Sequence, residues 1–246
     1  MRLVTQRIKN ENIFDFENNG YTDIYRFDFS EIRTGGFDMK RRNQKVLRLV
    51  ELAMLVALVA VLQGLGASIT IGLVPLTFVL IPIVVGAFLL GPLEGAILGF
   101  VFGLITVIQT PASEVLMVFF NANPVAYVVL ALLKATLAGF CAALIYKALG
   151  KLFKGKYTYL QTTIASISAP IINTGIFVLG MFLFFFEENA MLPEIFPEFF
   201  PGFVGATEVI LIGLVGFNFI GEFLVNLLLS PAVVRIVDVV KNKLKI

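Results

Sequence analysis

Lys134 is the residue best placed to do chemistry in this chain. It stands inside an apolar run from Val125 to Ile145, and no other basic residue occurs between Arg48 and Lys147. An ammonium at bilayer depth costs several kcal/mol, so it must face a protein interior and find a partner there. Two partners are open. One is a carboxylate of the same chain, Glu222 or Glu208; the other is the carboxylate or phosphate of a ligand arriving from outside. Asn218, Glu222 and Asn226 follow one another at helical spacing, so a carboxylate flanked by two amides shares one helix face, which cannot face lipid. Asn173 and Thr174 follow Pro170; proline frees a carbonyl, and Asn173 either caps the interrupted helix or donates a hydrogen bond into a cavity. Gln109, Asn121, Asn123 and Tyr127 stand just outside the Lys134 level. A different chemistry would use Lys134 as a desolvated base to activate Ser166 or Ser168 in an intramembrane enzyme. No serine and lysine stand at helical spacing, so that geometry would have to come from across the bundle.

These residues need a membrane to hold them. The chain has 246 residues, of which 58% are hydrophobic and only 15% charged. Average soluble domains are about a quarter charged. With 25 Phe and a mean hydropathy of +0.92, lipid must be part of the solvent. Histidine is absent, which removes the commonest general base and metal ligand. Cys141 is alone inside an apolar span, so it supports neither a disulfide nor a cysteine metal site. No basic and aromatic stripe tracks a nucleic-acid backbone.

Apolar runs long enough to cross a bilayer number about six. They cover Leu49 to Gly66, Leu73 to Leu90, Gly95 to Gln109, Pro124 to Tyr146, Leu160 to Phe186 and Ala206 to Val237. The expected fold is all-α, a bundle of about six transmembrane helices. The connections alternate in charge. One side carries Lys40, Arg41, Arg42, Lys45, Arg48, Lys147, Lys151, Lys154, Lys156, Arg235, Lys241, Lys243 and Lys245; the other carries Glu114, Glu187, Glu188, Glu194 and Glu198. The positive-inside rule then places both termini in the cytoplasm. Residues 1–38 read as a poorly structured extension and 39–246 as the membrane domain. Gly35-Gly36-Phe37-Asp38-Met39 has the look of a translated ribosome-binding site, so Met39 is expected to be the natural start.

Small residues mark packing. Ala53, Ala57 and Ala60 make a smooth patch on the first span, and Gly95, Gly99 and Gly103 recur every fourth residue on the third. Gly91-Pro92-Leu93-Glu94-Gly95 reads as a tight turn between spans two and three. Pro193, Pro197 and Pro201 among Phe196, Phe199, Phe200 and Phe203 make a stiff outer loop suited to a lid. Gly150 to Tyr157 nearly fits a phosphate-binding loop, but Tyr157 replaces its Ser or Thr and a membrane span precedes it.

Taken in order, Ala53-x-x-x-Ala57, Gly-Pro-Leu-Glu-Gly, Asn123-Pro124 with a mid-span base, Asn173-Thr174 and Asn218-x-x-x-Glu222 resemble the substrate-binding S component of an energy-coupling factor (ECF) vitamin transporter, over about residues 45–240. The resemblance implies a bacterial plasma-membrane protein that captures a vitamin from outside and needs no cofactor. It then docks on a transmembrane coupling protein (T component) driven by two ATP-binding-cassette ATPases and topples to release its cargo inside. Ala53, Ala57 and Ala60 would form the docking face. Lys134, Gln63, Gln109, Asn121, Asn123, Tyr127, Asn173 and Asn218 would bind substrate. In the family the base of the fourth helix is often Arg after Pro; here Leu133-Lys134 stands instead. A small carboxylate with hydroxyl and amide groups suits these residues, which makes pantothenate the best match; folate, riboflavin and cobalamin are the alternatives.

Overall fold

The computed structural model describes residues 29–66, 70–71, 74–75, 78–154 and 156–244. The chain divides into two units, Met1–Val46 and Leu47–Ile246, and the helical bundle is the second. Helix α1 is Phe29–Gly66, α2 Leu80–Leu89, α3 Pro92–Gln109, α4 Glu114–Ala122, α5 Pro124–Leu152, α6 Thr158–Phe184, α7 Phe186–Ile195, α8 Ala206–Glu208 and α9 Gly216–Leu244. A π-helical stretch, Val209–Leu214, joins α8 to α9. Helix α1 begins at Phe29; residues 1–28 lie outside the described residues, and neither the expected extension nor the start at Met39 is addressed by them.

Among the described residues, five helical segments have the length and apolar character to cross a membrane: Lys45–Leu65, Pro92–Ala112, Pro124–Leu152, Thr158–Phe184 and Ala206–Val240. Of the second expected span, Leu73 to Leu90, the described residues show one helix, the ten-residue α2, about 15 Å long against a hydrocarbon core of about 30 Å, which is too short to count among those five. Two short antiparallel strands precede it, β1 (Thr70–Ile71) and β2 (Val74–Pro75), with Thr70 opposite Pro75. Hydropathy alone does not mark where the helix begins, because the whole segment is one continuous apolar run. Leu80, Ile83 and Val84 are wholly buried in the bundle. At the end of α2, Gly91 takes φ +129°, a conformation open to glycine, and Pro92 starts α3 with its φ already helical.

Two polar contacts fix the direction of α1 against α3. Arg48 pairs with Glu94 at 2.8 Å and donates to the Leu90 carbonyl. At the far end, Gln63 Nε2 donates to Gln109 Oε1 at 3.0 Å. Beginning meets beginning and end meets end, so the two helices run parallel, and each pair of anchors is about 22 Å apart along its helix. Leu90 therefore lies at the level of Arg48, and Gln63 at the opposite end with Gln109.

Helices α3 and α5 are antiparallel and in backbone contact. A methyl group added at Gly99 would lie 2.1 Å from the Ala135 carbonyl oxygen; at Gly95 it would meet Gly139 O at 2.7 Å, and at Gly103 Ala131 O at 2.7 Å. The glycine repeat of α3 thus lies along Ala131, Ala135 and Gly139 of α5. Lipid tails are as apolar as the helices, so association comes from close packing, and only residues this small permit it. At the basic end, Phe88 stacks on Tyr146 with centroids 4.3 Å apart, and Ala142, Ala143, Ala165, Ala169, Val233 and Val237 complete an alanine-rich core. The acidic end is filled by larger side chains, among them Phe119, Phe185, Phe200, Leu192 and Met181.

Candidate functional site

Helix α5 has two working faces. One is the alanine and glycine edge against α3; the other carries Lys134. The Lys134 Nζ lies 4.5 Å from the centroid of the Phe177 ring on α6, so the ammonium points into the bundle and not at lipid. The pairing of α5 with α6 is held one turn away, where Leu130 fills the space over Gly180: a methyl added there would meet Leu130 Cδ1 at 2.3 Å. On the same face of α6, four residues before Phe177, Asn173 is buried, and its Oδ1 accepts no hydrogen bond among the described residues. Helix α6 continues through Pro170 without interruption, so Asn173 is not capping a broken helix. Glu222 on α9 is 2% exposed and acts electrostatically on Lys134. Glu208, the other carboxylate considered, is exposed and accepts the Val204 N–H at 3.0 Å.

A second polar layer lies nearer the acidic end. Gln63 and Gln109 hold each other side chain to side chain, and Gln109 Nε2 also reaches the Gln63 carbonyl at 3.4 Å. Gln63 is buried, and its Oε1 has no hydrogen-bond partner among the described residues. Thr110 and the Tyr127 hydroxyl are 2.9 Å apart and both buried. Lys134 stands two turns further in than Tyr127, about 10 Å along α5. Above this layer sits an aromatic cap. Phe200 rests against Gly213, where a methyl would meet its ring at 2.6 Å, and Phe203 covers the same spot. Gly213 belongs to the π-helical stretch.

The structure brings Gln63, Gln109 and Tyr127 into one layer and puts Lys134 and Asn173 on facing helices beneath it. Asn121 and Asn123 are exposed, and Asn123 Oδ1 is committed to the N-terminus of α5, accepting the Ala126 N–H at 3.0 Å. The side chain of Asn218 lies outside the described residues. Asn226 Nδ2 donates to the Glu222 carbonyl at 2.8 Å, and Thr163 reaches Ser230 at 3.3 Å. Ser168 donates to its own helix at Ala165. Ser166 is buried, and its hydroxyl has no hydrogen-bond partner among the described residues. Phe177 and Thr110 carry no mark in the sequence. A phenylalanine four residues after a buried amide is one among 25, and nothing local distinguishes the one that faces a lysine.

Ala53, Ala57 and Ala60 are all exposed along α1, beside Met54, Leu58 and Val61. Only 11% of the span of α1 is buried, against 39% for α5. Near the basic end, Gly91 lies between Glu94 and Lys147, and the near-fit to a phosphate loop begins inside α5, where Gly150 is in the last turn.

The fold and the site define a membrane-embedded helical bundle with polar groups collected inside it. Comparison with protein families finds a match over residues 47–234 to the ECF transporter, substrate-specific component, which is more than half of the chain. The chain belongs to that family. Its members are substrate-binding transport subunits and not enzymes, with ATP hydrolysis in partner modules. No curated protein matches the chain.

Proposed function

We propose that the chain captures a small anionic vitamin, pantothenate being the best match, and delivers it to an ATP-driven coupling module. The observation that carries this reading is the Lys134 ammonium inside the bundle, over the face of Phe177. An aromatic face attracts a cation but brings no net charge, so it leaves the cation able to take a carboxylate. Gln63 and Asn173 supply buried acceptors for hydroxyl or amide donors, while Gln109 and Tyr127 extend the polar layer. Asn121 and Asn123 serve the entrance, and Asn218 extends the α9 side. The vitamin enters from the acidic, outer end under the Phe200 cap.

The chain docks through Ala53, Ala57 and Ala60 on a T component that works with two ABC ATPases, in the plasma membrane of a bacterium. A smooth, little-buried helix supports that role, because a partner helix approaches closely only where side chains are small. Six crossings with both termini in the cytoplasm are supported by the parallel α1 and α3, between which the chain must return, and by the lysine-rich connections on one side.

A second reading has its own observation. Glu222 acts on Lys134, and a lysine neutralised within the bundle would serve a ligand without a carboxylate, such as riboflavin or cobalamin. Calorimetry of the purified full chain in lipid nanodiscs separates the two. Pantothenate is expected to bind, and Lys134→Met to weaken it by about 2 kcal/mol or more, the scale of a lost charge-assisted hydrogen bond. Binding of riboflavin or cobalamin with no effect of Lys134→Met would refute the anionic reading.

A further inference from the structure

Lys134 has two attractors inside the bundle, and they differ in kind. The Phe177 ring, 4.5 Å from Nζ, holds the ammonium by its quadrupole and leaves the positive charge in place. The Glu222 carboxylate, buried on α9, carries the opposite charge and acts on the ammonium electrostatically. Phe177 cannot drift from its position: Leu130 against Gly180 fixes α5 on α6 one turn away, and α6 is an unbroken helix from Thr158 to Phe184.

We propose that Phe177 is the positioning residue that keeps the Lys134 ammonium receptive to an anionic ligand, by holding it on the ring face. This rests on the anion-binding reading above and adds a specificity determinant to it. The ring does not touch the ligand's charge; it decides where the lysine waits. Without it the ammonium settles towards Glu222, and the site changes from one that selects a carboxylate to one that is electrically neutral. Selectivity for anions is therefore set by a residue that carries no charge.

The test uses the full chain in nanodiscs with two probes, pantothenate and panthenol, in which a hydroxymethyl group replaces the carboxylate. Phe177→Leu is expected to weaken pantothenate about tenfold and to leave panthenol within about twofold. Adding Glu222→Gln to Phe177→Leu is expected to restore most of the pantothenate affinity, because the competing carboxylate is gone. Should Phe177→Leu fail to fold, fluorinated phenylalanines at position 177 keep the shape while draining the ring face, and pantothenate affinity should fall with each added fluorine. Equal loss of both probes, an unchanged pantothenate affinity, failure of the double variant to recover, or indifference to fluorination each overturns the proposal. If Lys134→Met weakens pantothenate while Phe177→Leu does not discriminate, this inference alone fails. If Lys134→Met has no effect, the anionic reading fails and takes this one with it.

Discussion

The two faces of α5 show opposite solutions to packing in lipid. Towards α3, Ala131, Ala135 and Gly139 meet Gly103, Gly99 and Gly95 with backbone against backbone, leaving no room for a side chain or a ligand. Towards α6, the same helix presents Lys134 to an aromatic ring, with a buried, unpartnered amide oxygen four residues along α6. The first seam is complete as it stands. The second carries polar groups whose hydrogen-bonding capacity is unfilled among the described residues, and buried polar groups left unfilled cost about 1–3 kcal/mol each. A rigid backing on one side lets the other side hold that unfilled capacity.

The sharpest way to break this contrast is to insert bulk into the closed seam. Gly99→Leu should prevent the bundle from assembling, since even a methyl there meets the Ala135 carbonyl oxygen at 2.1 Å. Expression with size-exclusion chromatography checks it, and a normally folded, ligand-binding Gly99→Leu would show that the seam is not rigid. Next in size is Ala57→Trp, on the exposed face of α1. Vitamin binding by the isolated chain should be unchanged, while uptake in vesicles carrying the coupling protein and both ATPases should be lost. Equal damage to both would mean that pocket and docking face are not separate. The smallest expected effect is at the outer end of the closed seam. Thr110→Val leaves the buried Tyr127 hydroxyl without its partner at 2.9 Å, which should cost about 1–3 kcal/mol of stability. Chemical denaturation in mild detergent measures it, and an unchanged midpoint would show that the Thr110 contact adds nothing.

Much of the fold is legible along the chain. The long apolar runs match the crossing helices over Pro92–Ala112, Pro124–Leu152 and Thr158–Phe184 because span length is set by bilayer thickness. The second run shows only the ten-residue α2 among the described residues, about half the length of a crossing helix, so its apolar character alone did not give its helical extent. At the site, Lys134 stands out because an isolated charge in an apolar run is conspicuous whatever its partner. Gln63 and Asn173 come into view as polar residues in spans, but the unpartnered state of their oxygens is a property of what surrounds them. Asn123 caps the N-terminus of α5, a role that its position before Pro124 announces.

The sequence by itself determined that this chain lives in lipid, which end is basic and which acidic, and that a glycine repeat needs a close neighbour. Those properties depend on composition and on short spacings along one helix. Only the tertiary structure decided that the neighbour is the Ala131, Ala135 and Gly139 edge, that Gln63 meets Gln109, and that Lys134 meets Phe177 within the field of Glu222. Each of those facts joins residues far apart in the chain, and a contact between distant residues is fixed by how whole helices pack, which no local pattern encodes.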